Sequence, residues 1–116
     1  MASLWLNMNL NQIHNVYFIG IGGIGMSALA RYFQFIGKNV AGYDKTPTQL
    51  TNELQENGIQ IHFEDDVNLI DESFKNKENT LVVITPAVPK NHSEWNYFLS
   101  EGFTVKKRAE VLGIIT

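Results

Sequence analysis

"YFIGIGGIGMSALARYF", residues 17–33, decides how this chain folds. An apolar run gives way to four glycines within six positions, Gly20, Gly22, Gly23 and Gly25. The run "NVYFIG" (15–20) is β-branched and aromatic without alternation, as in a parallel strand buried on both faces. Beyond the glycines, Ile24, Ala28, Leu29, Tyr32, Phe33 and Ile36 recur at three- and four-residue steps. That spacing predicts an amphipathic helix over 23–36, stopped by Gly37. Gly20, Gly22 and Gly25 fit G-x-G-x-x-G between that strand and that helix, the context in which the motif binds dinucleotide phosphates. The first glycine allows the tight turn, the second lets backbone approach an anion, and the third lets helix and strand pack closely. Loop and helix N-terminal amides then face a negative charge favoured by the helix dipole. The Ser27 hydroxyl is a further donor. The competing reading is a glycine turn that only packs tightly.

Outward from that loop the rhythm repeats. "NVAGYD" (39–44) reads as a second strand, Thr48 to Asn57 as a helix closed by Gly58, and "IQIHF" (59–63) as a third strand. "TLVVIT" (80–85) is the most strand-like run, ended by Pro86 and Pro89. Residues 91–101 read as a helix ending at Gly102, "FTVKK" (103–107) as a last strand, and "AEVLGII" as the start of another helix. This order predicts an α/β fold, a Rossmann-like doubly wound parallel sheet of five strands in the order 3-2-1-4-5, with helices on both faces. Ligands of such sheets lie beyond the strands' carboxyl ends, at the switch point between strands 1 and 4.

Composition sets the bounds. The 116 residues suit one domain, 1–116, and 44% apolar content supports a core. The net charge of −3 and a longest basic run of only Lys106-Lys107-Arg108 argue against a nucleic-acid surface. No cysteine is present, so disulfides and thiolate chemistry are excluded. The first fifteen residues lack the charged and apolar regions of a signal peptide, and no stretch is long enough for a membrane span; the expected location is cytoplasmic. His14, His62 and His92 have no metal-ligand spacing, so no metal site is expected.

Asp44 ends the second strand nineteen residues after Gly25, where an acid takes ribose hydroxyls in dinucleotide folds. An aspartate that merely closes a turn is the alternative. On these residues alone NAD(H) remains a candidate ligand.

The longer strings "HNVYFIGIGGIGMSALA", "VAGYDKTPTQLTNEL", "ITPAVPKNHSEW" and "KKRAEVLG" resemble, in order and spacing, the N-terminal domain of the Mur ligases, over nearly the whole chain from Ile13. Within that family the likeness is to the branch that joins L-alanine to UDP-N-acetylmuramic acid. The resemblance implies that this domain binds that UDP-sugar. The whole enzyme would use ATP and Mg²⁺ to activate the lactyl carboxylate as an acyl phosphate. L-Alanine would then attack, making the first peptide bond of the peptidoglycan stem. Carried over by position, Gly20, Gly22, Gly23, Ile24, Gly25, Met26 and Ser27 would cradle the pyrophosphate. Asp44, Lys45 and Thr46 would lie by the uridine, with Thr85, Pro86, Ala87, Val88 and Arg108 towards phosphates and sugar. Many members carry Gly-His after the third strand; this chain reads "HFEDD", and no ligand contact is carried onto His62. No G-x-x-x-x-G-K-[ST] occurs, so neither ATP nor another cofactor is expected to bind this chain, which reads as a piece of a longer ligase. Its expected partners are the UDP-sugar and a central ATP-binding domain, with no nucleic acid and no membrane.

Other residues carry two readings. Glu64, Asp65 and Asp66 read as a solvated loop or as Mg²⁺ ligands. Trp5 and Trp95 read as packing against the core or stacking on a base. Arg108 either meets the ligand through its planar fork or pairs with Glu110. A redox domain binding NAD(H) and a UDP-sugar module without catalysis are the alternative functions.

Overall fold

The computed structural model describes residues 10–115. The signal-peptide reading and Trp5 fall wholly or largely outside them. The elements are β1 (Asn15–Ile19), α1 (Ile24–Phe35), β2 (Asn39–Tyr43), α2 (Gln49–Glu56), β3 (Gln60–His62), β4 (Thr80–Ile84), α3 (Ser93–Ser100), β5 (Thr104–Lys107) and α4 (Arg108–Ile115). All strand pairs are parallel and the order is β3-β2-β1-β4-β5, as the sequence rhythm predicts. Two 3-10 turns, Val67–Leu69 and Glu72–Phe74, fill the connection between β3 and β4, to which the sequence reading assigned no element.

Alternate side chains of β1 serve two cores. Val16 and Phe18, with Ile21 beyond the strand, face α1, α2 and α4, packing with Leu29, Phe33, Leu54 and Val111. Tyr17 and Ile19 face the other layer, with Phe74, Phe98 and Phe103. Both faces being covered, β1 shows no polar alternation, and its aromatic run is a consequence of its central place. Trp95 packs against the second core, which answers the packing reading of that residue. Among the described residues no helix is long and apolar enough to cross a membrane.

Helix ends follow local chemistry. Thr48 caps α2 through a reciprocal box with Thr51. Gly37, Gly58 and Gly102 follow α1, α2 and α3 with φ of +91°, +92° and +80°, the left-handed conformation that stops a helix. Two boundaries differ from expectation. α3 starts at Ser93 because the side chain of His92 caps it. α4 starts at Arg108, one residue before the "AEVLGII" run that predicts it.

The glycine that permits close packing against β1 is Gly42, not Gly25. A Cβ on Gly42 would lie 2.7 Å from the Phe18 carbonyl oxygen and 2.8 Å from Ile21 Cδ1. Backbone cannot yield as a side-chain tip can, so Gly42→Ala is expected to cost about 1–3 kcal/mol. Urea unfolding should show a lower midpoint with unchanged slope; an unmoved midpoint would mean that the sheet has slack there.

Candidate functional site

The glycine loop hangs from the end of β2. The amides of Gly20 and Ile21 both donate to the Tyr43 carbonyl, at 2.8 and 3.0 Å. The Gly22 amide donates to Asp44 Oδ2 at 2.6 Å, and Asp44 Oδ1 accepts from the Thr46 amide at 3.1 Å. Gly20 turns the chain with φ +96°, and a side chain there would collide with the Thr85 methyl. Gly22 needs no left-handed backbone; its constraint is space, since a Cβ would sit 2.7 Å from Asp44 Oδ2 and 3.0 Å from Thr51 Cγ2.

Gly23 precedes α1 without any side-chain cap. Among the described residues no acceptor meets the amides of Ile24, Gly25 and Met26. These are the orphan donors of the first helical turn, at the positive end of its dipole. The Arg108 guanidinium lies over Gly25, so close that a Cβ there would be 2.7 Å from Arg108 Cζ. Arg108 makes no ion pair with any described residue, and Glu110 instead accepts from the Lys107 amide at 2.8 Å. The ion-pair reading of Arg108 is therefore set aside. Three open amides and one half-buried guanidinium thus present donors and positive charge that an anion could meet.

Beside it a cleft of about 560 Å³ runs across the carboxyl edge of the sheet. Of the residues expected at the site, Gly20, Gly23, Met26, Asp44, Lys45, Thr85 and Ala87 line it. Gly22, Ile24, Gly25, Thr46, Pro86 and Arg108 stand outside its lining. Ser27 is buried and its hydroxyl donates to the Ile24 carbonyl at 3.0 Å, so it stiffens the first turn from beneath.

Val88, the last residue of the expected turn after β4, lines the cleft too, and so do Tyr43, Asp65, Pro89, Asn91 and His92, to which the sequence assigns no ligand contact. Asp65 belongs to the acidic run, which is not simply a solvated loop. Its oxygens accept from the Ser93 and Glu94 amides at 2.7 and 3.0 Å, capping α3. Glu94 answers from the helix. Its fully buried carboxylate accepts from the Tyr17 hydroxyl at 2.6 Å and the Asp66 amide at 3.1 Å, and lies 2.6 Å from His62 Nε2. Burial first, then the Glu94 charge, pushes the Tyr17 hydroxyl far above its ordinary range. Tyr43 is raised as well, by burial and then by Asp65. Among the described residues no cluster of three or more His, Asp or Glu could hold a metal ion. Local spacing could not have revealed this wall, because Asp65 and the α3 residues that it caps are 28 and 29 positions apart.

The model of the Mur ligase family, catalytic domain, matches residues 15–116. The chain belongs to the Mur ligase family. It is 77% identical over 109 residues to a UDP-N-acetylmuramate–L-alanine ligase of Flavobacterium psychrophilum, and 71% to one of Flavobacterium johnsoniae. Each match covers 94% of this chain and 24% of the relative, so the chain spans about a quarter of their length. Among solved structures, a UDP-N-acetylmuramate–alanine ligase from Thermotoga maritima aligns with a TM-score of 0.74 at 29% identity, over 84% of this chain and 21% of that one. Nothing in these likenesses supports the NAD(H) alternative.

Whether this arrangement takes an anion has a direct test. Arg108→Ala should weaken binding of inorganic pyrophosphate roughly tenfold to a hundredfold, since a charge-assisted hydrogen bond is worth about 1.5–3 kcal/mol. Calorimetric titration of parent and variant decides it, and equal affinity would leave Arg108 a packing role over Gly25.

Proposed function

We propose that this Mur ligase domain binds UDP-N-acetylmuramic acid for a ligase that joins L-alanine to the sugar's lactyl carboxylate, in cytoplasmic peptidoglycan synthesis. The observation that carries the reading is the set of open Ile24, Gly25 and Met26 amides under the Arg108 guanidinium, beside a cleft at the sheet's carboxyl edge. A pyrophosphate meets donors and positive charge there without any rearrangement of the core. Asp44, Lys45 and Thr46 stand at the end of β2 for the uridine, and Thr85, Pro86 and Ala87 follow β4 on the way to the sugar. The names of the Flavobacterium relatives support the choice of ligand.

The chain's own part is to bind and to orient. ATP and Mg²⁺, which the family reading requires, are assigned to the rest of the ligase. The sequence has no loop of the G-x-x-x-x-G-K-[ST] type, and the described residues offer no metal-ligating cluster. Carboxylate activation is assigned to the length of the relatives that this chain does not span. The lactyl carboxylate would accordingly point off the carboxyl edge of the sheet.

Titration with UDP-N-acetylmuramic acid should move the amide resonances of residues 22–27 and 44–46. NADH moving them at lower concentration would overturn the reading in favour of a redox domain. Mixed with ATP, the UDP-sugar and L-alanine, the chain alone should release no phosphate above a buffer blank. Turnover in a preparation free of host ligase would place a catalytic site within these residues.

A further inference from the structure

We propose that His92 reads the bound ligand, its Nε2–H donating to an oxygen acceptor of the UDP-sugar in the cleft. The inference rests on the UDP-sugar reading above and adds a residue to it. His92 lines the cleft, is 4% exposed, and stands at the N-terminus of α3. Its Nδ1 accepts from the Trp95 amide at 3.3 Å. Its Nε2 is the one buried side-chain nitrogen or oxygen among the described residues without a hydrogen-bond partner. Buried polar groups nearly always have partners, so an orphan beside a cavity points to an acceptor that arrives with the occupant.

The proton on Nε2 follows from the other side of the ring. Nδ1 is 3.3 Å from both the Trp95 amide and Asp65 Oδ1. In the neutral ring that accepts from Trp95, the proton must be on Nε2. In the cation both nitrogens carry one. Only the remaining tautomer leaves Nε2 bare, and it sets Nδ1–H against the Trp95 N–H and removes the helix cap. With Nδ1 accepting the Trp95 amide, Nε2 is a donor, and the group that completes it must be an acceptor. Asp65 is not that group, since its carboxylate faces Nδ1.

Position narrows the role. Tyr43, whose ring meets His92 edge to face at 4.7 Å, belongs to the core on the α3 side of the sheet, whereas α1 packs on the other. An occupant spanning the edge would meet the α1 amides with one part and His92 with another. Base carbonyls, phosphoryl oxygens and the sugar acid all supply suitable acceptors.

The test uses chain labelled with ¹⁵N-histidine, with the amides of residues 22–27 as an independent report of binding. Inorganic pyrophosphate, UDP and UDP-N-acetylmuramic acid are added in separate titrations. The His92 signals, assigned by their loss in His92→Asn, should show Nε2 protonated in the free chain and shifted at saturation. A shift with pyrophosphate identifies a phosphoryl acceptor. One that first appears with UDP identifies the nucleoside, and one seen only with the full UDP-sugar identifies the sugar acid. His92→Asn keeps an oxygen to cap α3 but withdraws the ring donor. It should melt near the parent and bind the UDP-sugar about three- to tenfold more weakly. If the loop amides move while Nε2 stays fixed in all three titrations, the N–H lies against the Tyr43 ring and the proposal fails alone. If the loop amides never move, the UDP-sugar reading fails and takes this proposal with it.

Discussion

The end of β2 holds the glycine loop in shape. Tyr43 accepts the Gly20 and Ile21 amides, Asp44 takes that of Gly22, and Gly23 donates back to Gly20 at 3.5 Å. Four successive amides are thus engaged within the protein, and the next three are open. That division sets where an anion can bind. The G-x-G-x-x-G pattern suggests that phosphate contacts begin at the second glycine. Here Asp44 already occupies the Gly22 amide, so the open contacts begin at Ile24, inside the first turn of α1. Arg108 has its place for the same reason, because Gly25 has no side chain to keep the guanidinium off the turn.

The opposite wall is built by reciprocity between a loop and a helix. Asp65 caps α3, and Glu94 of α3 accepts the amide that follows Asp65. A fully buried carboxylate is costly unless every lone pair is used, and Tyr17 with His62 completes the set. Tyr17 lies on the central strand, so the far wall of the cleft is tied to the middle of the sheet. Replacing Glu94 alone would leave the buried Tyr17 hydroxyl only His62, 3.2 Å away, and would take the acceptor from the Asp66 amide.

Most of the fold is legible locally. Runs of β-branched residues, three- and four-residue apolar steps and the stopping glycines at 37, 58 and 102 depend on near neighbours, and parallel connectivity restricts the rest. The glycine loop and Arg108 are legible for the same reason, as part of a motif with fixed spacing. What escapes is long-range. Gly42 looks like a weak point in a strand until Phe18 and Ile21 are placed against it. Asp65 looks like one acid among three until α3 arrives 28 residues later. His92 looks solitary until Tyr43 and Asp65 enclose it. The element that holds Arg108 is less plain, because a basic run reads equally well as the end of a strand or the start of a helix.

Charge bears on where the cleft would favour an anion. The cleft edge carries two carboxylates, Asp44 and Asp65, with Lys45 beside Asp44 and Arg108 over the α1 turn. Two unit charges 4 Å apart interact by about 4 kcal/mol at an effective dielectric of 20, the value suited to a site near the surface. A phosphate moved from the open amides to the Asp44 side would exchange attraction for repulsion of that order. Hydroxyl groups suffer no such penalty, since a carboxylate accepts from them. Lys45 offsets part of that repulsion, and the two carboxylates still make that half the better place for hydroxyl-bearing parts. An occupant with a pyrophosphate flanked by two sugars can satisfy both halves at once, whereas a bare anion fills only the end at α1.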